Sequence, residues 1–185
     1  MRFNSLFALV ATVASLGSSL AAPTVSTTSE AQLKAANLGL GDILNLLGVG
    51  FVTKVNTFIT LATLDNNLVS LNFDVKNPLP IELTIDSISS KASVNGTVYV
   101  DFTHTFTPPL IVPILGTANS GNITNVLLVQ GAIPSLDIIP LGYVDLPDTD
   151  AKVRAATILG HLGIPIELDN LKQTNVTATY TLDLS

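Results

Sequence analysis

From residue 69 to 75 the chain reads Val-Ser-Leu-Asn-Phe-Asp-Val, apolar at every second position, and Ile81, Leu83 and Ile85 resume the alternation beyond Asn77-Pro78-Leu79-Pro80. A period of two sends successive side chains to opposite faces of a strand, so Val69, Leu71, Phe73 and Val75 predict a buried face, with Asp74 on the solvated one. Pro78 brings no amide donor and holds Asn77 extended, which ends the first strand and starts a crossing to the next. The same period recurs along the chain. Residues 51–64, "FVTKVNTFITLATL", predict a long Thr-rich strand, and Asp65, Asn66 and Asn67 a turn. Strand 81–88 leads into residues 91–106, where Asn95-Gly96 marks a hairpin because both residues accept positive φ. Val98, Val100, Phe102, His104 and Phe106 share its inward phase.

Residues 107–115, "TPPLIVPIL", are apolar yet carry Pro108, Pro109 and Pro113, which excludes a central strand and leaves an edge or a loop. Such a stretch either caps an open end of the fold or offers a contact patch, for which Leu110, Ile111 and Ile114 are the candidate residues. After a polar turn at 117–122, "ITNVLLVQG" predicts a buried strand. Residues 135–146 read as a strand pair broken around Pro140 and Gly142. "PDTDAKVRAATILGHLG" fits a helix capped by Asp148 or Asp150, and its Val153, Ala155, Thr157 and Leu159 also fit a strand. Residues 149–160 thus stay open between the two. The last segment alternates cleanly, with Val176, Ala178, Tyr180 and Leu182 inward. Seven or eight short strands without a β-α-β rhythm predict an all-β fold, an antiparallel sandwich over 51–185. Ahead of it, 22–50 is a polar lead with a short helical segment, for which Ser29 and Gln32 supply a capping box.

Composition adds a compartment. Arg2, an apolar run from Leu6 to Leu16, and then small residues form a secretory signal peptide over 1–21, cut after Ala21. No later apolar run has the length of a membrane span. The formal charge of −6 becomes one unit more negative once Arg2 is removed, which disfavours nucleic-acid and anionic partners. Cysteine is absent, so disulfides and thiolate chemistry are excluded. Three acceptor triplets, at Asn95, Asn122 and Asn175, join the leader in pointing to a secreted, extracellular glycoprotein.

The run "VSLNFDVKNPLPIELTIDSISSKASVNG", residues 69–96, resembles the LEA-2 domain, also called the water-stress and hypersensitive-response domain. The matching features are the alternating strand, Asn-Pro at its end, the second strand and the Asn-Gly hairpin. The resemblance implies a sandwich similar to fibronectin type III modules and a role in stress protection or surface interaction, with no catalytic residues to carry over.

Candidate chemistry is sparse. His104 and His161 are too far apart in sequence for a metal spacing, and no Gly-x-Ser-x-Gly elbow is present. Asp145, Asp148 and Asp150 cluster as calcium ligands would, without the glycine and closing glutamate of a calcium loop, so they read as turn and cap residues. Glu82 and Glu167 would have to face one cleft to act as a glycosidase pair, and both fall in solvent phase. Tyr99 is the outward aromatic. No catalytic, cofactor or metal residue is assigned. The expectation is a non-catalytic interaction or stress-protective protein with an unknown protein, cell-wall or lipid partner. The alternatives are a carrier of an apolar small molecule or lipid, suggested by the 47% hydrophobic content, and an enzyme of unrecognised type.

Overall fold

Strand β2 (Leu68–Lys76) alternates as its sequence requires, burying Val69, Leu71, Phe73 and Val75. A computed structural model describes residues 50–184; the leader and the helical segment expected before Phe51 lie outside them. Around β2 stand β1 (Val52–Thr60), β3 (Leu83–Val94), β4 (Thr97–Val112), β5 (Thr117–Asn119), β6 (Ile123–Leu127), β7 (Tyr143–Ala155) and β8 (Ile164–Asp183). They form one curled mixed sheet, a half-barrel, in the order β4-β3-β7-β8-β1-β2-β5, with β6 also paired to β2. The inner face of the curl carries the core, in which Phe51, Leu79, Leu83, Ile85, Val112 and Leu168 are fully buried. The β3–β4 hairpin turns at Asn95 and Gly96 with φ of 50° and 81°, as a type I′ turn requires.

The two lateral regions of the sheet approach each other and are stitched at both ends. At one end Val100 bridges Leu128, the Val129 amide donates to Tyr99 O (2.9 Å) and Gln130 Nε2 to Val98 O (2.8 Å). At the other, Asn77 is the tie. Its backbone amide donates to Gly116 O (2.9 Å), and its side chain spans from Ile81 O (2.7 Å) to Pro113 O (3.1 Å) and Val112 O (3.3 Å). The Asn77 carboxamide oxygen accepts the Leu79 amide at 2.9 Å, closing an Asx turn over Pro78. The Asn-Pro interruption is therefore where β2, the crossing to β3 and the end of β4 are locked together.

Several elements differ from the expected ones, each for a local reason. The pattern is not wholly antiparallel, because β1 runs parallel to β8. A hairpin dictates antiparallel pairing, and no hairpin joins these two strands from opposite ends of the sheet-forming sequence. The strand starting at Phe51 stops at Thr60, and Leu61–Asn66 form the short helix α1. Asn67 ends it at φ 60°, and its side-chain oxygen accepts the Ala132 amide at 2.7 Å, so the expected turn also positions a distant segment. Residues 135–146 are not a strand pair: helix α2 (Ala132–Ser135) and a 3-10 helix (Leu136–Leu141) lead directly into β7. Residues 149–155 are strand, so Asp148 and Asp150 cap no helix. β6 buries only Ile123 and Val126, since its other face is exposed.

The prolines of 107–115 act where the sequence placed them. β4 is an edge of the sheet order, and its register with β3 jumps from Ser87↔Thr105 to Ile85↔Leu110, leaving Phe106–Pro109 outside the ladder. Pro108 and Pro109 have no amide to offer there, and the bulge blunts the edge against pairing with another chain.

Candidate contact surface

β7 and β8 are joined not by a tight turn but by residues 156–163, which fold back over the outer face of β3. Thr84 points outward yet is fully buried, because this loop covers it and Thr157 Oγ1 accepts its hydroxyl at 2.9 Å. Two charged residues strap the loop down. The Glu82 carboxylate accepts Thr157 Oγ1 (2.8 Å) and the Gly160 amide (3.0 Å). Arg154 pairs with Asp86 through Nη2 (2.8 Å) and Nε (2.9 Å) and donates through Nη1 to Gly160 O and Leu162 O, both at 3.0 Å. The hydrogen bonds that Arg154 donates to Asp86 raise the Arg154 pKa above its ordinary value, against a smaller opposing effect of burial. Arg154→Met is therefore expected to speed amide exchange and proteolytic cutting at Leu159–Leu162 by roughly tenfold or more, while the β3 and β7 amides keep their protection. Unchanged exchange at Leu159–Leu162 would show that the strap does not hold the loop.

Inside the loop, Ile158 and His161 exchange two backbone hydrogen bonds of 3.0 Å around Leu159 and Gly160, whose φ values are 50° and 75°. Positive φ at both central positions is the requirement of a type I′ turn, whose first position favours Asn or Gly. Here a leucine occupies it. Leu162 follows at φ 62°, and Leu115, in the β4–β5 turn, lies at 51°. A left-handed leucine is disfavoured by about 1–2 kcal/mol, and none of these three recovers the cost by burial: Leu159 is 77% exposed, Leu115 65% and Leu162 47%. Ile158, Ile111 and Ile114 are exposed beside them. The 156–163 loop reaches the end of β4, since a Cβ on Gly160 would lie 2.8 Å from Ile111 Cδ1. Exposed apolar side chains that gather in this way, unlike ones scattered singly, call for an explanation.

The predicted stretch divides within this surface. Val112 is fully buried and seals the core, Leu110 is half-buried against it, and Ile111 and Ile114 face solvent. Leu115 lay within the flagged stretch without being named a contact residue, and sequence reasoning missed Ile158, Leu159 and Leu162. Both loops are uncharged, since no Asp, Glu, Lys or Arg lies between Asp101 and Asp137 or between Arg154 and Glu167, while the exposed Lys76 pairs with Thr117 beside the β4–β5 turn. All three acceptor asparagines are exposed, and none is on this end. Asn95 tips the hairpin at the far end of β3, and the Asn175 amide donates to Asp145, which pairs with Ser93 near that tip. Asn122 precedes Ile123, which pairs with Leu71, about 16–20 Å along β2 from Asn77.

The other candidates are engaged elsewhere. Asp145 and Asp150 accept the backbone amides of Asn175 (2.9 Å) and Asn170 (2.8 Å), and Asp148 pairs with Lys91 at 2.8 Å, raising the lysine pKa. Glu167 lies 3.9 Å from Lys152, both exposed. His104 is half-buried in its inward phase and packs edge-on against Phe106, ring centres 4.8 Å apart. His161 is exposed. Within the curl, Leu71, Phe73, Tyr99, Phe102 and Tyr180 help to line an apolar cavity, and burial pushes the Tyr180 pKa up. Its hydroxyl groups are partly self-satisfied, Ser90 with Thr149 at 2.6 Å and Ser135 with Gly131 O at 2.6 Å. The space wide enough for a water-sized body is about 50 Å³, against the roughly 150 Å³ of a cavity that takes up benzene. Compared with known proteins, the chain matches no family model and no curated sequence.

Proposed function

We propose that the protein is a secreted, glycosylated, non-catalytic β domain that works by contact, and that its contact surface is the apolar end formed by Ile111, Ile114, Leu115, Ile158, Leu159 and Leu162. The observation that carries this reading is the set of three leucines held at positive φ and exposed. Backbone strain that is not repaid by burial persists where another requirement fixes it, and a surface displayed to a partner is such a requirement. The strap of Glu82 and Arg154 supports the reading, because it fixes the loop while leaving its leucines outside. The acceptor asparagines support it too, since glycans on them would leave this end bare.

Within the same proposal the domain is LEA-2-like, its curled sheet a distorted form of that family's two-layer sandwich, and its role is surface interaction or stress protection outside the cell. The carrier reading ranks below it. A lipid chain would need the interior to open well beyond about 50 Å³.

The test is the double variant Leu159→Asp, Leu162→Asp. Both side chains are exposed, so the urea midpoint is expected to change by less than about 1 kcal/mol equivalent. Retention on the surface of the producing cells is expected to fall at least tenfold, as loss of anchor residues does at other interfaces. Full retention by a folded double variant would refute the contact surface.

A further inference from the structure

We infer that the apolar cavity within the curl is a binding site for a compact, uncharged alcohol or phenol whose hydroxyl is held by Thr57; the site is separate from the contact surface proposed above and does not rest on it. Thr57 carries the inference. Val55, Thr57 and Ile59 of β1 all line the cavity, so a hydroxyl stands where the inward phase of the strand asks for an aliphatic side chain. Thr57 pairs with Leu71 of β2 on one side and with Tyr180 of β8 on the other, and both neighbours line the cavity too. It is only 9% exposed, yet its hydroxyl has no hydrogen-bond partner among the described residues and borders the open space instead. Burying a hydroxyl without a partner costs free energy, which a ligand that supplies the partner recovers.

The rest of the lining selects the ligand. No charged side chain takes part in it, so a carboxylate or an ammonium group would lose its hydration without a counter-charge. Ser90 and Ser135 also line the space, but each is engaged at 2.6 Å, with Thr149 and with Gly131 O. A buried water makes about two to four hydrogen bonds, whereas an apolar molecule with one hydroxyl asks only for the one that Thr57 offers. One wall is aromatic, with the rings of Phe73 and Phe102 tilted by 51° at 6.3 Å between centres. A bulge adds to this wall. The β3–β4 register passes from Ala92↔Val100 to Ser93↔Val98, which leaves Tyr99 without an opposite residue and turns the expected outward aromatic into a lining residue beside Val100. The space of about 50 Å³ is roughly a third of what benzene occupies in an apolar cavity. Tyr99, Phe102 and Tyr180 are only half-buried, and their rotation outward gives a phenol ring the remaining room.

Phenol titrated into the isotope-labelled full chain should shift the nuclear magnetic resonance signals of Thr57, Leu71 and Ala178 saturably, and benzoate, of similar size but charged, should not compete. Thr57→Val should weaken phenol binding roughly five- to tenfold while leaving benzene within about twofold, and Thr57→Ser, which keeps the hydroxyl, should retain most of the phenol affinity. The valine variant loses only an unbonded hydroxyl, so its thermal midpoint should be no lower than that of the parent. Equal weakening of phenol and benzene by Thr57→Val would overturn the inference, because the hydroxyl would then hold nothing. So would the absence of saturable shifts at Thr57, Leu71 and Ala178, whether a long-lived water is found against Thr57 or only surface residues such as Leu159 and Leu162 respond.

Discussion

Asn77→Ala is expected to lower the unfolding free energy by roughly 3–5 kcal/mol, a large share of what a domain of this size has. The side chain is fully buried and its carboxamide serves four backbone groups: three carbonyls, of Ile81, Val112 and Pro113, and the Leu79 amide. Truncation to Ala strands them in a closed end of the fold, where water would have to enter to replace the lost bonds. Asn77→Asp keeps the acceptor for Leu79 and turns a second oxygen on the three carbonyls. At neutral pH it should be at least as damaging. The folded-state pKa of that carboxyl would lie above its unfolded value, since only the protonated form can donate to the carbonyls, so the deficit should shrink as pH falls through it. Thr53→Ala, which removes only an exposed 3.2 Å bond to Asp74 O, is the control and should stay within about 0.5 kcal/mol. Urea denaturation of the three variants reads these outcomes directly, and a loss below about 1 kcal/mol for Asn77→Ala would mean that the two ends of the curl are held by other contacts.

Asn77 also marks the boundary of what a sequence discloses here. The alternation in β2, the Asn95-Gly96 turn and the edge position forced by Pro108 and Pro109 are local, and each was legible. That the Asn-Pro interruption ends a strand was legible too. That its carboxamide reaches Val112 and Pro113 was not, because nothing local ties residue 77 to the end of β4. Pairing direction failed for the same reason at β1 and β8, which no hairpin connects.

The contact surface was half legible. Pro108, Pro109 and Pro113 flagged Ile111 and Ile114 by making an apolar stretch unfit for a sheet centre. The segment 149–160 gave no decision between helix and strand, since its apolar spacing satisfies both. The form of residues 156–163 is imposed by Glu82 and Arg154, and it seats leucines at φ values that turn statistics assign to Asn and Gly. One signal was available: glycines at 160 and 163 punctuate apolar residues in a segment without charge. Conflict between a local rule and the fold is concentrated where the function is proposed.

Those two glycines separate stability from display. Gly163 sits at φ 100°, and a Cβ there would meet Thr157 Cγ2 at 2.5 Å, Ala155 O at 3.1 Å and Arg154 Cβ at 3.1 Å. One of these is backbone and another belongs to the strapping arginine, so little can yield. Gly163→Ala is expected to cost roughly 2–4 kcal/mol, from an unfavourable φ and a clash together, and to detach residues 156–163 from Glu82. At Gly160 the φ of 75° is also unfavourable, but the atoms in the way are Ile111 Cδ1 (2.8 Å) and Cγ1 (2.9 Å), the far end of a side chain already 40% exposed. Ile111 can rotate aside. Gly160→Ala should therefore cost only about 1 kcal/mol, while pushing Ile111 away from the 156–163 loop and weakening retention on the cell surface. Thermal midpoints measured beside retention distinguish the two positions. Equal stability losses would show that Ile111 cannot move and is a fixed part of the packing.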